Sequence, residues 1–159
     1  TGAGQAPTET SHFSWKNNNV AVYKAFEHQH LDEINETLYW CDKQKQDMNF
    51  IPVRGNFSRG ILASCYTDTT LSLDELTKLY KDFYKDADFV HLSDENIDVK
   101  QVVNTNKCVI HLEKHGNKAF IISAIDNLLK GASGQAVQNM NLMFGLDPKT
   151  GLKLKPVAF

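Results

Sequence analysis

The stretch that decides the fold runs from Cys108 to Ile125 and reads CVIHLEKHGNKAFIISAI. Two β-rich runs within it, Cys108 to Glu113 and Ala119 to Ile125, flank the tripeptide His115-Gly116-Asn117. Because Gly and Asn tolerate the backbone conformations of a tight turn, a turn around Gly116-Asn117 between two such runs indicates a β-hairpin. The sequence therefore predicts an antiparallel pair of strands here.

The remaining segments predict an α+β fold. Residues 1–19 are polar and predict a loop. Strands are predicted at Val20 to Phe26, Asn49 to Val53, Ile61 to Thr67 and Phe89 to Leu92, and helices at Leu31 to Leu38, Leu73 to Tyr84 and Ala132 to Phe144. Two of these strands flank a short turn near Gly60 and suggest a second pair. We expect one domain over residues 1–159, a mixed or antiparallel sheet with helices on one face.

Local signals support two of the helices. Ser72 followed three residues later by Glu75 is a capping box ahead of the helix at Leu73. The last helix carries an apolar stripe and would end at Gly145. The stripe consists of Ala136, Met140, Met143 and Phe144.

Composition narrows the class of protein. Hydrophobic residues make up 42% and charged residues 23% of the 159 residues, which is typical of a folded globular protein. Lys and Arg number 17 against 19 Asp and Glu, so no bulk positive charge recruits nucleic acid. No apolar run reaches the ~18 residues of a membrane span, so no membrane association is expected.

The cysteines favour a reducing compartment. Cys41, Cys65 and Cys108 are odd in number and share no short spacing, which argues against disulfides and zinc knuckles. Cys65 and Cys108 fall in predicted strands among apolar neighbours and are expected to be inert core residues. We therefore expect a cytoplasmic protein without a nucleophilic cysteine in these residues.

Two histidines form the first candidate site. His28 and His30 are separated by one residue, and on a strand they would point to the same face. Such a pair can chelate a metal, bind an anionic substrate or act as an acid or base near neutral pH. No third ligand at a recognisable spacing follows, so no metal site is predicted.

Two glycine-containing segments offer further candidates. Arg59 lies in a turn between Gly55 and Gly60, where its planar fork could grip a carboxylate or phosphate, or simply close a hairpin. The segment from Gly131 to Gln135 opens the last helix, where exposed N–H groups could hold phosphate or small residues could allow close packing.

Five blocks, in this order along the chain, resemble the N-acetyl-gamma-glutamyl-phosphate reductase family: TGAG (1–4), EHQHLDEI (27–34), FIP (50–52), GNFSRGI (55–61) and SAIDNLLKGASGQAVQNMN (123–141). The resemblance implies an NADPH-dependent reductase of arginine biosynthesis that converts N-acetyl-glutamyl phosphate to an aldehyde through a cysteine thioester. It implies a fold like the C-terminal domain of glyceraldehyde-3-phosphate dehydrogenase. The chain would be a catalytic and dimerisation domain only, with the nucleotide-binding domain and the nucleophilic cysteine upstream.

The resemblance also assigns roles to individual residues. Arg59 would bind the substrate, His28 and His30 would line its cleft, and Asn139 would contact the nicotinamide side of NADP. Residues 131–145 would form the helix that returns to the nucleotide domain. Val53 stands where the family usually has its acid/base histidine, and the alternatives are that His28 or His30 takes over this role or that another proton route is used. The implied assembly is a homo-oligomer, a dimer or tetramer. The alternative is a dimerising module that has lost the chemistry.

Overall fold

The structure is a computed structural model that describes Ala6, residues 8–44 and residues 48–156. The chain divides into two compact units, a first unit over Thr1–Ser58 and a second unit over Arg59–Phe159. Each unit contains its own sheet. The single domain expected over residues 1–159 stays a prediction.

The first unit combines short helices with a two-stranded sheet. A 3-10 turn at Glu9–Ser11 precedes helix α1 at Phe13–Lys16, within the segment predicted to be a loop. Strand β1 covers Ala21–Val22 and pairs antiparallel with β2 at Val53–Arg54. Helix α2 covers His30–Asp42, which confirms and extends the helix predicted at Leu31 to Leu38.

The strands predicted at Val20 to Phe26 and Asn49 to Val53 are wrong in length. The φ angles of Lys24 and Phe26 are 43° and 62°, so the chain leaves the extended conformation after β1. Single backbone hydrogen bonds continue the pairing, from Phe26 N to Phe50 O among them. Residues 23–26 therefore form a turn before α2 although their composition is typical of a strand.

The second unit contains a four-stranded mixed sheet. Its strands are β3 at Ile61–Asp68, β4 at Val90–Ser93, β5 at Cys108–His115 and β6 at Lys118–Ile125. The spatial order is β3-β6-β5-β4, with β6 antiparallel to both neighbours and β4 parallel to β5. This confirms the α+β class and the hairpin, whose turn holds Gly116 at a φ of 56°.

The strand pair predicted across Gly60 is wrong. β2 pairs with β1, whereas β3 pairs along its whole length with β6. Gly60 has a φ of 107°, and its N–H donates to Asn127 Oδ1 at 2.8 Å instead of closing a hairpin. A side chain at this position would be strained and would press against Val99.

The second unit has buried hydrophobic residues on both faces of its sheet, and one cluster of them centres on β6. Ile122 and Ala124 of β6 pack against Ile97 and Val102, which belong to the connection between β4 and β5. Helix α3 covers Leu73–Phe83, and its predicted capping box between Ser72 and Glu75 is present. Of the residues in α3, Leu76 is buried, and α3 packs against β5.

The last helix begins with a π-helical turn. Residues Leu129–Ser133 form this turn, and helix α4 follows at Gly134–Met143 and ends before Gly145, which has a φ of 67°. The predicted apolar stripe Ala136, Met140, Met143 and Phe144 is exposed. The opposite side is anchored, because Asn141 Nδ2 donates to the carbonyls of Pro148 and Thr150. Among the described helices, every one is too short to cross a membrane.

Candidate functional site

The two predicted histidines lie together at the start of α2. His28 precedes the helix and His30 is its first residue, so the strand geometry in which both would point to one face does not apply. Their ring centroids are nevertheless 4.5 Å apart, edge to face. Tyr23 and Phe50 each place a ring centroid 5.5 Å from that of His28. We call these four residues the ring cluster.

Hydrogen bonding and charge indicate the protonation state of His28. The backbone N–H of His30 donates to His28 Nδ1 at 3.2 Å, so the neutral imidazole carries its proton on Nε2. Burial and the positive charges of His30, Lys24 and Arg54 lower the pKa of His28 below 6.5. His28 is therefore neutral at physiological pH and presents an Nε2–H donor, which suits an anionic oxygen.

Arg54 is a residue of this site that the sequence reasoning missed. Its guanidinium carbon lies 3.9 Å from the ring centroid of Tyr23, in a cation–π contact. Val53, the position where a histidine was expected, is 55% exposed. Successive strand residues point to opposite sides, so β2 presents Arg54 to the ring cluster and Val53 away from it. The sequence feature that could have revealed Arg54 is its place directly after Val53, which stands where the family usually has a histidine.

Arg59 lies in the second unit and contacts a buried carboxylate. Its Nη1 is 3.5 Å from Asp126 Oδ2, and its side chain is 37% exposed while that of Asp126 is completely buried. The backbone N–H groups of Asn104, Leu128 and Leu129 donate to Asp126 at 2.7, 2.8 and 2.9 Å. Asp126 thus connects its own segment with those of Arg59 and Asn104. The role of Arg59 in substrate binding stays a prediction.

The carboxylate of Asp126 is charged despite its burial. Desolvation, the largest influence, raises its pKa, but the hydrogen bonds from Asn104, Leu129 and Leu128 and the charge of Arg59 together lower the pKa below 3.8. A buried carboxylate that accepts three backbone N–H groups is a structural anchor. By accepting from Leu128 N and Leu129 N, Asp126 holds the start of the π-helical turn that follows β6.

The glycine-containing helix start serves close packing rather than phosphate binding. The N–H groups of Gly131 and Ser133 already donate to the carbonyls of Asp126 and Leu128. A Cβ atom on Gly134 would overlap the side-chain oxygen of Asn106. Of the two interpretations of Gly131 to Gln135, the structure therefore supports small-residue packing.

Asn139 lies on the exposed side of α4. Its Oδ1 accepts a hydrogen bond from Gln135 Nε2 at 3.0 Å. Lys130 Nζ donates to Gln135 Oε1 and Gln138 Oε1 at 2.9 and 3.2 Å, so these polar side chains form one network. The amide nitrogen of Asn139 projects from this network, and its contact with NADP stays a prediction.

Comparison with known proteins decides the family. The family model described as "Semialdehyde dehydrogenase, dimerisation domain" matches residues 1–127. The chain belongs to this family. It is 62% identical over its whole length to the N-acetyl-gamma-glutamyl-phosphate reductase of Azobacteroides pseudotrichonymphae genomovar. CFP2, covering 49% of that protein. The reductases of Bacteroides fragilis and Flavobacterium johnsoniae are 60% and 58% identical to it, with 50% and 49% of each covered.

The match confirms the resemblance and the fold expected from it. The chain spans about half the length of the curated relatives it matches. Strand β3 is an edge of the sheet, and its Ile61, Leu62 and Tyr66 are 48%, 46% and 69% exposed.

The three cysteines of this family member are free thiols. Cys41 and Cys65 are exposed and Cys108 is partly buried. The expectation that Cys65 is a core residue is wrong, because most residues of β3, Cys65 included, are exposed. Desolvation around its sulfur raises the pKa of the Cys65 thiol, which disfavours the thiolate. Within the described part of the chain, no group of three His, Cys, Asp or Glu residues could hold a metal ion.

Proposed function

We propose that this chain is the substrate-binding and dimerising part of a reductase that converts N-acetyl-glutamyl phosphate to N-acetylglutamate semialdehyde in arginine biosynthesis. The observation that carries this proposal is about 60% identity along the entire chain to proteins named N-acetyl-gamma-glutamyl-phosphate reductase. A dimerising module without chemistry is not favoured, because all of those named relatives are reductases.

The chemistry divides between this chain and the rest of the enzyme. A thiolate from outside these residues would attack the acyl phosphate carbon, releasing phosphate and leaving a thioester. NADPH, held mainly by another domain, would supply the hydride that reduces the thioester to the aldehyde. Asn139 fits the nicotinamide carboxamide, because its amide nitrogen remains a donor while its oxygen accepts from Gln135.

Within this chain, the histidines and Arg59 would act on the substrate. His28 presents an Nε2–H and lies against His30, so this pair can hydrogen-bond an anionic oxygen. Val53 cannot exchange a proton, and we assign that task to the histidine pair. Arg59 uses one nitrogen of its fork for Asp126, which leaves further donors for a carboxylate or phosphate.

The proposal includes assembly and location. A homo-oligomer, a dimer or tetramer, would form through the sheet of the second unit, in keeping with a family of dimerisation domains. Its partners would be the small-molecule substrate and its own copies, with no nucleic acid or membrane. The free cysteines Cys41, Cys65 and Cys108 suit the cytoplasm.

The test measures the reverse reaction in the complete enzyme that contains this sequence. NADP⁺ reduction is followed spectroscopically with N-acetylglutamate semialdehyde, and it should require inorganic phosphate. The His28→Asn variant should lower the rate by roughly 100-fold or more. The separate 159-residue chain should be inactive, because hydride donor and thiolate lie elsewhere. Turnover that does not depend on phosphate, or full activity of the separate chain, would contradict the proposal.

A further inference from the structure

Arg54 carries a positive charge in the first unit, and no described carboxylate pairs with it. It is half-buried, and among the residues that the structure describes no carboxylate lies within 4.0 Å of its guanidinium. A partly buried arginine is normally paired with an acidic group or hydrogen-bonded. The ring of Tyr23 at 3.9 Å supplies only a cation–π contact.

The groups around Arg54 extend this positive region. The charged groups that act on His28 are all cationic, namely His30, Lys24 and Arg54. His28 itself presents the Nε2–H donor, because its Nδ1 accepts from the backbone of His30. Donors and positive charge therefore surround one imidazole, and among the described residues none of these four side chains forms an ion pair with a carboxylate.

The fold fixes the position of Arg54 relative to the ring cluster. β2 pairs with β1 so that Arg54 lies opposite Ala21, two residues before Tyr23. The Tyr23 N–H donates to Pro52 O at 3.1 Å, which holds the same two segments together. A guanidinium stacked on a ring keeps the N–H groups of its edge directed outward in one plane. That fork matches the paired oxygens of a phosphate or a carboxylate.

We propose that Arg54 is a substrate-binding residue that grips an anionic group of the substrate, a phosphate or a carboxylate, beside the Nε2–H of His28. The proposal rests on the proposed function, because it adds a binding residue to the same site. With this role for Arg54, the site carries positive charge although Val53 stands where the family usually has a histidine. Tyr23 then acts as a positioning residue that holds the guanidinium in place.

The test uses binding and does not depend on turnover. The 159-residue chain is titrated separately with inorganic phosphate and with N-acetylglutamate, and the imidazole NMR signals of His28 and His30 are followed. Arg54→Gln should weaken binding of the preferred anion by about 10- to 100-fold, the range expected for a charge-assisted hydrogen bond. Arg54→Lys should recover part of the loss, because it keeps the charge without the fork.

A matched control lies at the other end of α2. Lys43 also stacks on a tyrosine, with its Nζ 5.7 Å from the ring centroid of Tyr39, and Lys43→Gln should leave binding unchanged. The anion that binds more tightly identifies the source, phosphate or carboxylate. Unchanged affinity in Arg54→Gln, or no binding of either anion to the unaltered chain, would overturn the proposal. Arg54-dependent binding together with an inactive complete enzyme would instead count against the proposed function.

Discussion

The two units differ in how their residues are held. No described residue before Arg59 is buried, whereas the second unit contains every buried residue of the described chain. The first unit relies on ring contacts and cation–π stacking around His28, and the second on an apolar core and a buried carboxylate. A candidate binding site therefore lies in the less buried unit, as expected where side chains must meet a ligand.

The largest effect is expected where the second unit has its polar anchor. Asp126→Ala should lower the free energy of unfolding by about 3–5 kcal/mol, because it leaves three backbone N–H groups without their acceptor. Asp147→Ala is the matched control. Its carboxylate is exposed and accepts from Lys149 N, so a loss of about 0.5 kcal/mol is expected. Urea unfolding measures both, and equal losses would remove the distinction between anchor and surface acid.

A glycine pair tests packing in the same unit. Gly134→Ala should cost about 2–3 kcal/mol, because the added Cβ would overlap Asn106 and force the helix away. Gly131→Ala places its Cβ in ordinary contact, 3.6 Å from the nearest atoms, and should be neutral or stabilise by up to about 1 kcal/mol. Thermal unfolding of both variants decides the point. A Gly134→Ala protein as stable as Gly131→Ala would show that α4 is not closely packed here.

Acid should affect the two units in different pH ranges. The pKa of His28 is lowered from 6.5, so the unfolded chain binds its proton more readily, and stability falls as the pH drops below about 6.5. The pKa of Asp126 is lowered from 3.8, so its contribution is complete above about pH 4 and is lost at lower pH.

Two probes separate these ranges. Both tryptophans, Trp15 and Trp40, belong to the first unit, so their fluorescence follows that unit, while amide exchange in β5 and β6 follows the second. His28→Asn should flatten the pH dependence of the first probe only, and Asp126→Asn that of the second only. A common acid transition in both probes would mean that the units unfold together.

The sequence analysis predicted those features of the fold that are determined by residues close together in the chain. The Gly116-Asn117 hairpin and the Ser72–Glu75 capping box were found because each motif contains its own turn or cap chemistry. The roles of Asp126 and Gly60 were missed, because each has a partner far along the chain, although Asp126 also accepts from its neighbours Leu128 and Leu129. Asp126 accepts from Asn104 N, and Gly60 donates to Asn127, 67 residues on.

The candidate site was predicted in part for the same reason. His28 and His30 are close in sequence, so they lie together at a helix start as they would on a strand. The stacking of Arg54 on Tyr23 depends on the β1–β2 register, which no local pattern revealed. A binding residue supplied by strand pairing is visible only in the folded chain.

A small effect on stability is expected for Arg59→Ala. The pair with Asp126 is a single 3.5 Å contact, and solvent reaches more than a third of the arginine, so screening limits its contribution to roughly 0.5–1 kcal/mol. Asp126 keeps its three backbone donors in this variant, so the fold of the second unit should persist. In the complete enzyme, loss of a bidentate bond to substrate should raise KM by about 30- to 150-fold, and Arg59→Lys should recover part of that. Measuring Tm and KM on the same variant separates the roles. A large drop in Tm with an unchanged KM would make Arg59 a structural partner of Asp126 and leave the substrate to the first unit.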